Sequence, residues 1–129
     1  MQVVNLSFGT IHILTANIAE IIVNEGVLLD SDMVIAYRKI IEQELQQPCA
    51  LLINKKNSYA HTFEAQITMG SLNNSIARRA VVVYGKNARM AMQIIIETNK
   101  HQNWNIEIFN TREAALDWLL THQNNKNAI

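Results

Sequence analysis

Apolar residues fall in short runs whose period changes along the chain. Over 2–8 the pattern alternates weakly, with Val4, Leu6 and Phe8 on one side. Positions 10–15 and 18–23 are β-branched runs separated by the short turn Thr15-Ala16-Asn17, which predicts an antiparallel hairpin. Ile21, Ile22 and Val23 are apolar without alternation, so the second of these strands should lie deeper in the sheet. The run from Cys49 to Ile53 is continuous and stops at Asn54, and a second run at 80–84 stops at Gly85. Continuous runs bounded by turn residues suit strands buried on both faces, as in a parallel sheet. A last strand is expected at 105–109.

Helical spacing appears between these runs. At 31–46, Met33, Tyr37, Ile40 and Ile41 share one face, while Arg38, Lys39, Glu42 and Glu44 take the other. Asp30 or Ser31 is placed to cap this helix and Pro48 to end it. Thr62 should cap a short helix to about Met69, interrupted by Gly70, with a further helical piece over 72–79 capped by Ser71. Residues 87–99 have a helical period with Met90, Ala91, Ile94, Ile95 and Thr98 facing inward. A closing helix, capped by Asn110 or Thr111, carries Ala115, Leu116, Leu119 and Leu120 as its apolar stripe.

Strands alternating with helices imply right-handed crossovers. The expected fold is therefore α/β, with a mixed, largely parallel sheet, an N-terminal antiparallel hairpin and crossover helices. The pattern gives one domain over 1–123 and a polar, flexible tail at 124–129.

Composition narrows the function classes. Apolar residues make up 49% and charged residues 17%, a globular balance. Eleven basic side chains match eleven acidic ones, so net charge offers no reason to expect nucleic acid. The single cysteine, Cys49, excludes an internal disulfide framework. No run reaches the length of a membrane span and no signal peptide is evident, so a cytoplasmic protein is expected. His12, His61, His101 and His122 lie on separate elements without ligand spacing, and no metal or cofactor is implied.

The stretch Leu51 to Tyr59, followed by Thr62 and Glu64-Ala65, resembles the core of small bacterial STAS-like proteins. The string from Ile108 to Leu119 is similar to their closing segment. These proteins are described as resembling sporulation anti-sigma-factor antagonists, with a relationship to lipid-binding CRAL-TRIO domains suggested. The resemblance implies a STAS-like α/β fold and no enzyme activity. Anti-sigma-factor antagonists carry an Asp-Ser-Ser-Gly-type phosphoacceptor after the central strand, whereas this chain reads Ala60-His61-Thr62-Phe63. Thr62 is thus a phosphoacceptor candidate on a departing motif, and capping is its simpler role.

Basic residues recur after the buried strands: Lys55 and Lys56, then Lys86 and Arg89, then Arg112. If the strands run parallel, their carboxyl ends share an edge, where ligands of open α/β sheets bind. With Asn57, Ser58 and Asn87, and with helix N-terminal amides, these side chains would suit an anion. Two functions follow as expectations. One is a non-enzymatic regulatory or protein-interaction module resembling STAS domains, with an unidentified protein partner or as a homodimer. The alternative is a small-ligand carrier for an anionic or lipid ligand, such as a phosphorylated metabolite, held at that edge. An apolar cavity behind Met33, Tyr37 and Met90 would favour the carrier.

Overall fold

The structure, a computed structural model, describes residues 2–71, 76–102 and 104–127, with side chains to Gln123. Strands β1 (Val3–Leu6), β2 (Gly9–Thr15) and β3 (Ile18–Val23) form an antiparallel meander. Then come β4 (Leu28–Leu29), α1 (Ser31–Glu44), β5 (Cys49–Asn54), β6 (Ala60–His61) and α2 (Phe63–Ser71). The chain continues through β7 (Ile76–Val82), α3 (Lys86–Thr98), a 3-10 turn (Lys100–Gln102), β8 (Ile106–Phe109) and α4 (Arg112–Asn127). The main sheet has the order β1-β2-β3-β5-β7-β8, and β3, β5, β7 and β8 run parallel. This is the mixed α/β arrangement that the hydrophobic pattern predicts.

The continuous apolar runs serve two faces at once. On β5, Cys49, Leu51 and Ile53 pack with Tyr37 and Ile41 of α1, Met69 of α2, and Met92 and Ile95 of α3. The alternate residues Ala50 and Leu52 pack with Ala115 and Leu119 of α4. Every residue of β5 is buried, as a central parallel strand requires. Strand β3, between β2 and β5, is buried at all positions but Ile22, as a strand inside the sheet requires, with the carboxylate of Glu20 among the buried groups.

Several local expectations are corrected. Arg38, expected on the outer face of α1, is only 7% exposed, because Val34, Tyr37, Arg38 and Ile41 form the helical stripe that packs. Its guanidinium lies 3.7 Å from the Glu42 carboxylate. Gly70 does not interrupt α2, which runs through it to Ser71. A Cβ at Gly70 would collide with the Asn99 side chain, so this glycine permits close helix packing. The helical piece expected over 72–79 is instead strand from Ile76 onward, and 72–75 lie outside the described residues. Met90, Ala91 and Ile94 do not face inward: Met90 and Ile94 are 54% and 62% exposed. Helix α3 is apolar around most of its circumference, so its period fits two stripes. Ala88, Met92, Ile95 and Ile96 are the ones that pack.

Asn99 fixes that choice. Its buried amide donates to the Gln66 carbonyl at 2.9 Å and the Ile95 carbonyl at 3.0 Å, tying α3 to α2. At the far end, α4 extends to Asn127, into the stretch expected as a tail; 128 and 129 lie outside the described residues.

Candidate functional site

The parallel direction of β3, β5, β7 and β8 brings their carboxyl ends to one edge. Beyond β5 the side chains keep alternating for one more residue. Asn54 turns to the α4 side, where its amide donates to Glu20 at 2.8 Å. Lys55 turns to the side of the other three helices, and its backbone N–H donates to the Val82 carbonyl at 3.0 Å.

The loop that follows is held along its length. Asn57 Nδ2 donates to the Val23 carbonyl at 3.0 Å, and the Ser58 N–H donates to Glu25 at 2.9 Å. Gly26, at φ +80°, makes the turn that lets its N–H reach the Ser58 carbonyl at 2.8 Å. Strands β4 and β6 then pair in parallel, Leu28 with Ala60 and Leu29 with His61. This small second sheet, which the sequence pattern does not reveal, sets the position of Tyr59 and His61.

A cavity of about 700 Å³ opens between this loop and the start of α3. Lys55, Lys56, Asn57, Ser58, Lys86 and Asn87, all expected to meet at a ligand, line it together. Three of its described lining residues are lysines, and none of these described residues is an aspartate or glutamate. The opposite wall is apolar, from Ala88, Ala91, Ile94 and Ile95 of α3. Ala91 and Ile94, which do not pack into the core, thus join Ala88 and Ile95 as a cavity wall.

Burial changes the charges inside. Lys55 is 9% exposed, with Nζ 4.2 Å above the centre of the Tyr59 ring. Burial pulls its ammonium down to about 8. His61, with its ring centre 5.3 Å from that of Tyr59, is pushed down to about 3 by burial and then by the Lys55 charge. It is therefore neutral at ordinary pH. Burial, and behind it the nearby Tyr37 hydroxyl, raises the Tyr59 phenol.

Helix α3 starts toward the same space. Gly85 precedes it, and no side chain caps its first turn. Asn87 lies inside this first turn and does not cap it. Backbone amides of this turn and the Lys86 ammonium both favour negative charge.

Two expected members stand elsewhere. Arg89 borders a neighbouring hollow with Lys86 and donates to Asn110 Oδ1 at 2.8 Å. Arg112 is committed to the buried Glu20 carboxylate, with Nη2 at 2.8 Å from Oε1 and Nε at 3.0 Å from Oε2. Burial works against the charge on Glu20, but the hydrogen bonds from Arg112 and Asn54 outweigh it and hold its carboxyl below the ordinary value. Thr62 accepts the Ala65 N–H at 3.0 Å, the geometry of a helix cap. Thr111, not Asn110, caps α4, through the Ala114 N–H at 3.1 Å. Met33 and Tyr37 do not border the cavity: Tyr37 is buried in the core and Met33 packs against it.

Tyr59, His61, Gln66 and Tyr84 line the cavity without having been singled out for a ligand. For Tyr59 and His61 the available signal was their closeness in sequence to Lys55. Gln66 and Tyr84 gave none. Among the described residues, no group of three or more His, Cys, Asp or Glu is placed to hold a metal ion. No described helix is long and apolar enough to cross a membrane. Comparison with protein families, with curated proteins and with solved structures finds no match.

Proposed function

We propose that this protein binds a small anionic ligand with an apolar portion in the cavity at the carboxyl edge of its sheet. The observation that carries this reading is the lining: Lys55, Lys56 and Lys86 converge, and no described residue lining the cavity carries a carboxylate. A phosphate or carboxylate would receive the Lys56 and Lys86 ammonium groups and the uncapped amides of α3. The apolar remainder would lie against Ala91 and Ile94. Carriage or sensing of such a ligand fits the site better than the protein-interaction role suggested by the STAS-like resemblance, because that role gives the lysines no task. The test is a thermal-shift series with inorganic phosphate, phospholipid headgroups and nucleotides at constant ionic strength. It compares the wild type with a Lys56→Ala/Lys86→Ala double variant. A bound anion at a hundredfold excess over its Kd should stabilise the wild type by about 2.7 kcal/mol. If no anion raises the wild-type midpoint beyond that of the variant, the proposal fails.

A further inference from the structure

Lys55 differs from the other lysines in the cavity. Its ammonium makes no ion pair and donates no hydrogen bond among the described residues; Nζ lies 4.2 Å from the centre of the Tyr59 ring, and its charge acts on His61. Lys56 and Lys86 are exposed at the rim, whereas Lys55 is buried on the cavity floor. A lysine serving only to attract an anion gains nothing from burial, since desolvation penalises the charged form that does the attracting. A buried, unpaired amine facing an open cavity is arranged instead to be used as a nucleophile.

We infer that Lys55 captures a carbonyl compound as an imine, the ligand being an aldehyde that also carries a phosphate or carboxylate held by Lys56 and Lys86. This rests on the reading of the cavity as an anion site. The neutral Nζ attacks the carbonyl carbon and forms the C–N bond, while the C=O π pair moves to oxygen. The resulting carbinolamine loses that oxygen with two protons as water, giving the imine. One amine and one aldehyde yield one imine and one water, and no oxidant or reductant takes part. At pH 8 about half of Lys55 is neutral, against about 0.3% for a lysine at 10.5. Ala91, Ile94 and Ile95 present an apolar wall to one side of the adduct.

The test uses pyridoxal 5′-phosphate as the probe, with borohydride reduction, intact mass and peptide mapping. Lys39 and Lys100, both exposed, serve as internal references. We expect one adduct per chain, on Lys55, formed at least tenfold faster than on either reference. Its rate should rise with a midpoint near pH 8, and pyridoxine 5′-phosphate, which has no aldehyde, should slow it. A Lys55→Arg variant with an unchanged melting temperature should lose the adduct. Labelling spread over surface lysines, or absent from Lys55, overturns the inference. If pyridoxine 5′-phosphate still binds in that case, as measured by calorimetry, the anion site survives and only the imine is lost. If it does not bind, both fail.

Discussion

Arg112, the first residue of α4, clasps the buried Glu20 of β3 from 92 positions away, with Nη2 2.8 Å from Oε1 and Nε 3.0 Å from Oε2. Strand β3 and helix α4 are thereby joined at the edge that also opens the cavity. The pair removes Arg112 from the charges available to a ligand. It also supplies the partner that a nearly inaccessible carboxylate needs.

Replacing Arg112 by Met should therefore leave Glu20 buried with the Asn54 hydrogen bond and the more distant His12 to support its charge. We expect a loss of about 1–3 kcal/mol in urea denaturation at pH 7, moderated because Arg112 is itself partly exposed. The sign with pH follows from the lowered carboxyl. In the wild type the pair's contribution is complete above the ordinary carboxylate value and is lost as pH falls below it. The variant should therefore approach the wild type in stability as pH falls. A difference that stays constant down to strongly acidic pH would show that the ion pair is not its source.

Thr62→Ala should cost about 1 kcal/mol, because the Ala65 N–H loses its acceptor at the start of α2. Chemical denaturation of the two proteins measures this directly. Stability equal to that of the wild type would mean that the hydroxyl has another task, such as accepting a phosphate.

Lys55 bears the cost of a buried charge. Its folded value near 8 lies below the ordinary 10.5, so between these limits the folded chain holds fewer protons than the unfolded one. The cost is thus complete below pH 8 and fades as pH rises toward 10.5. Lys55→Met should stabilise the protein at pH 7 by about 1–3 kcal/mol, and the gain should shrink as pH approaches 10.5. Urea midpoints of both proteins at pH 7 and pH 10 decide this. A gain independent of pH would place its origin in packing rather than charge.

The parts of the site legible in sequence are those where one residue's place follows from its own strand. The continuous apolar run Cys49 to Ile53 suited a doubly buried strand, which put Lys55 and Lys56 at its carboxyl end. Lys86 followed in the same way from the run ending at Gly85. What pattern could not supply were relations between distant segments. The link from Glu20 to Arg112 depends on β3 lying beside β5, and nothing local to either residue signals it. Arg78 and Arg79 fell in the helical piece expected over 72–79, although both lie within β7. Arg79 is buried there, donating to the Met69 carbonyl at 3.2 Å, with its guanidinium 5.2 Å from the Trp104 ring centre. Helix α3 offered two apolar stripes, and only the Asn99 anchor in the folded protein selects between them. Ala91 and Ile94, left outside the core, help to wall the cavity.

The most direct test of an anion site in this cavity is a titration of the isotope-labelled protein with inorganic phosphate, followed by amide chemical shifts at pH 7 and constant ionic strength. The account predicts saturable shifts confined to 55–61 and 85–91, with the backbone amides of Lys86, Asn87 and Ala88 among the largest. These shifts should be abolished in the Lys56→Ala/Lys86→Ala variant. Shifts that do not saturate, or that gather around Lys39 and Lys100 instead, would contradict it.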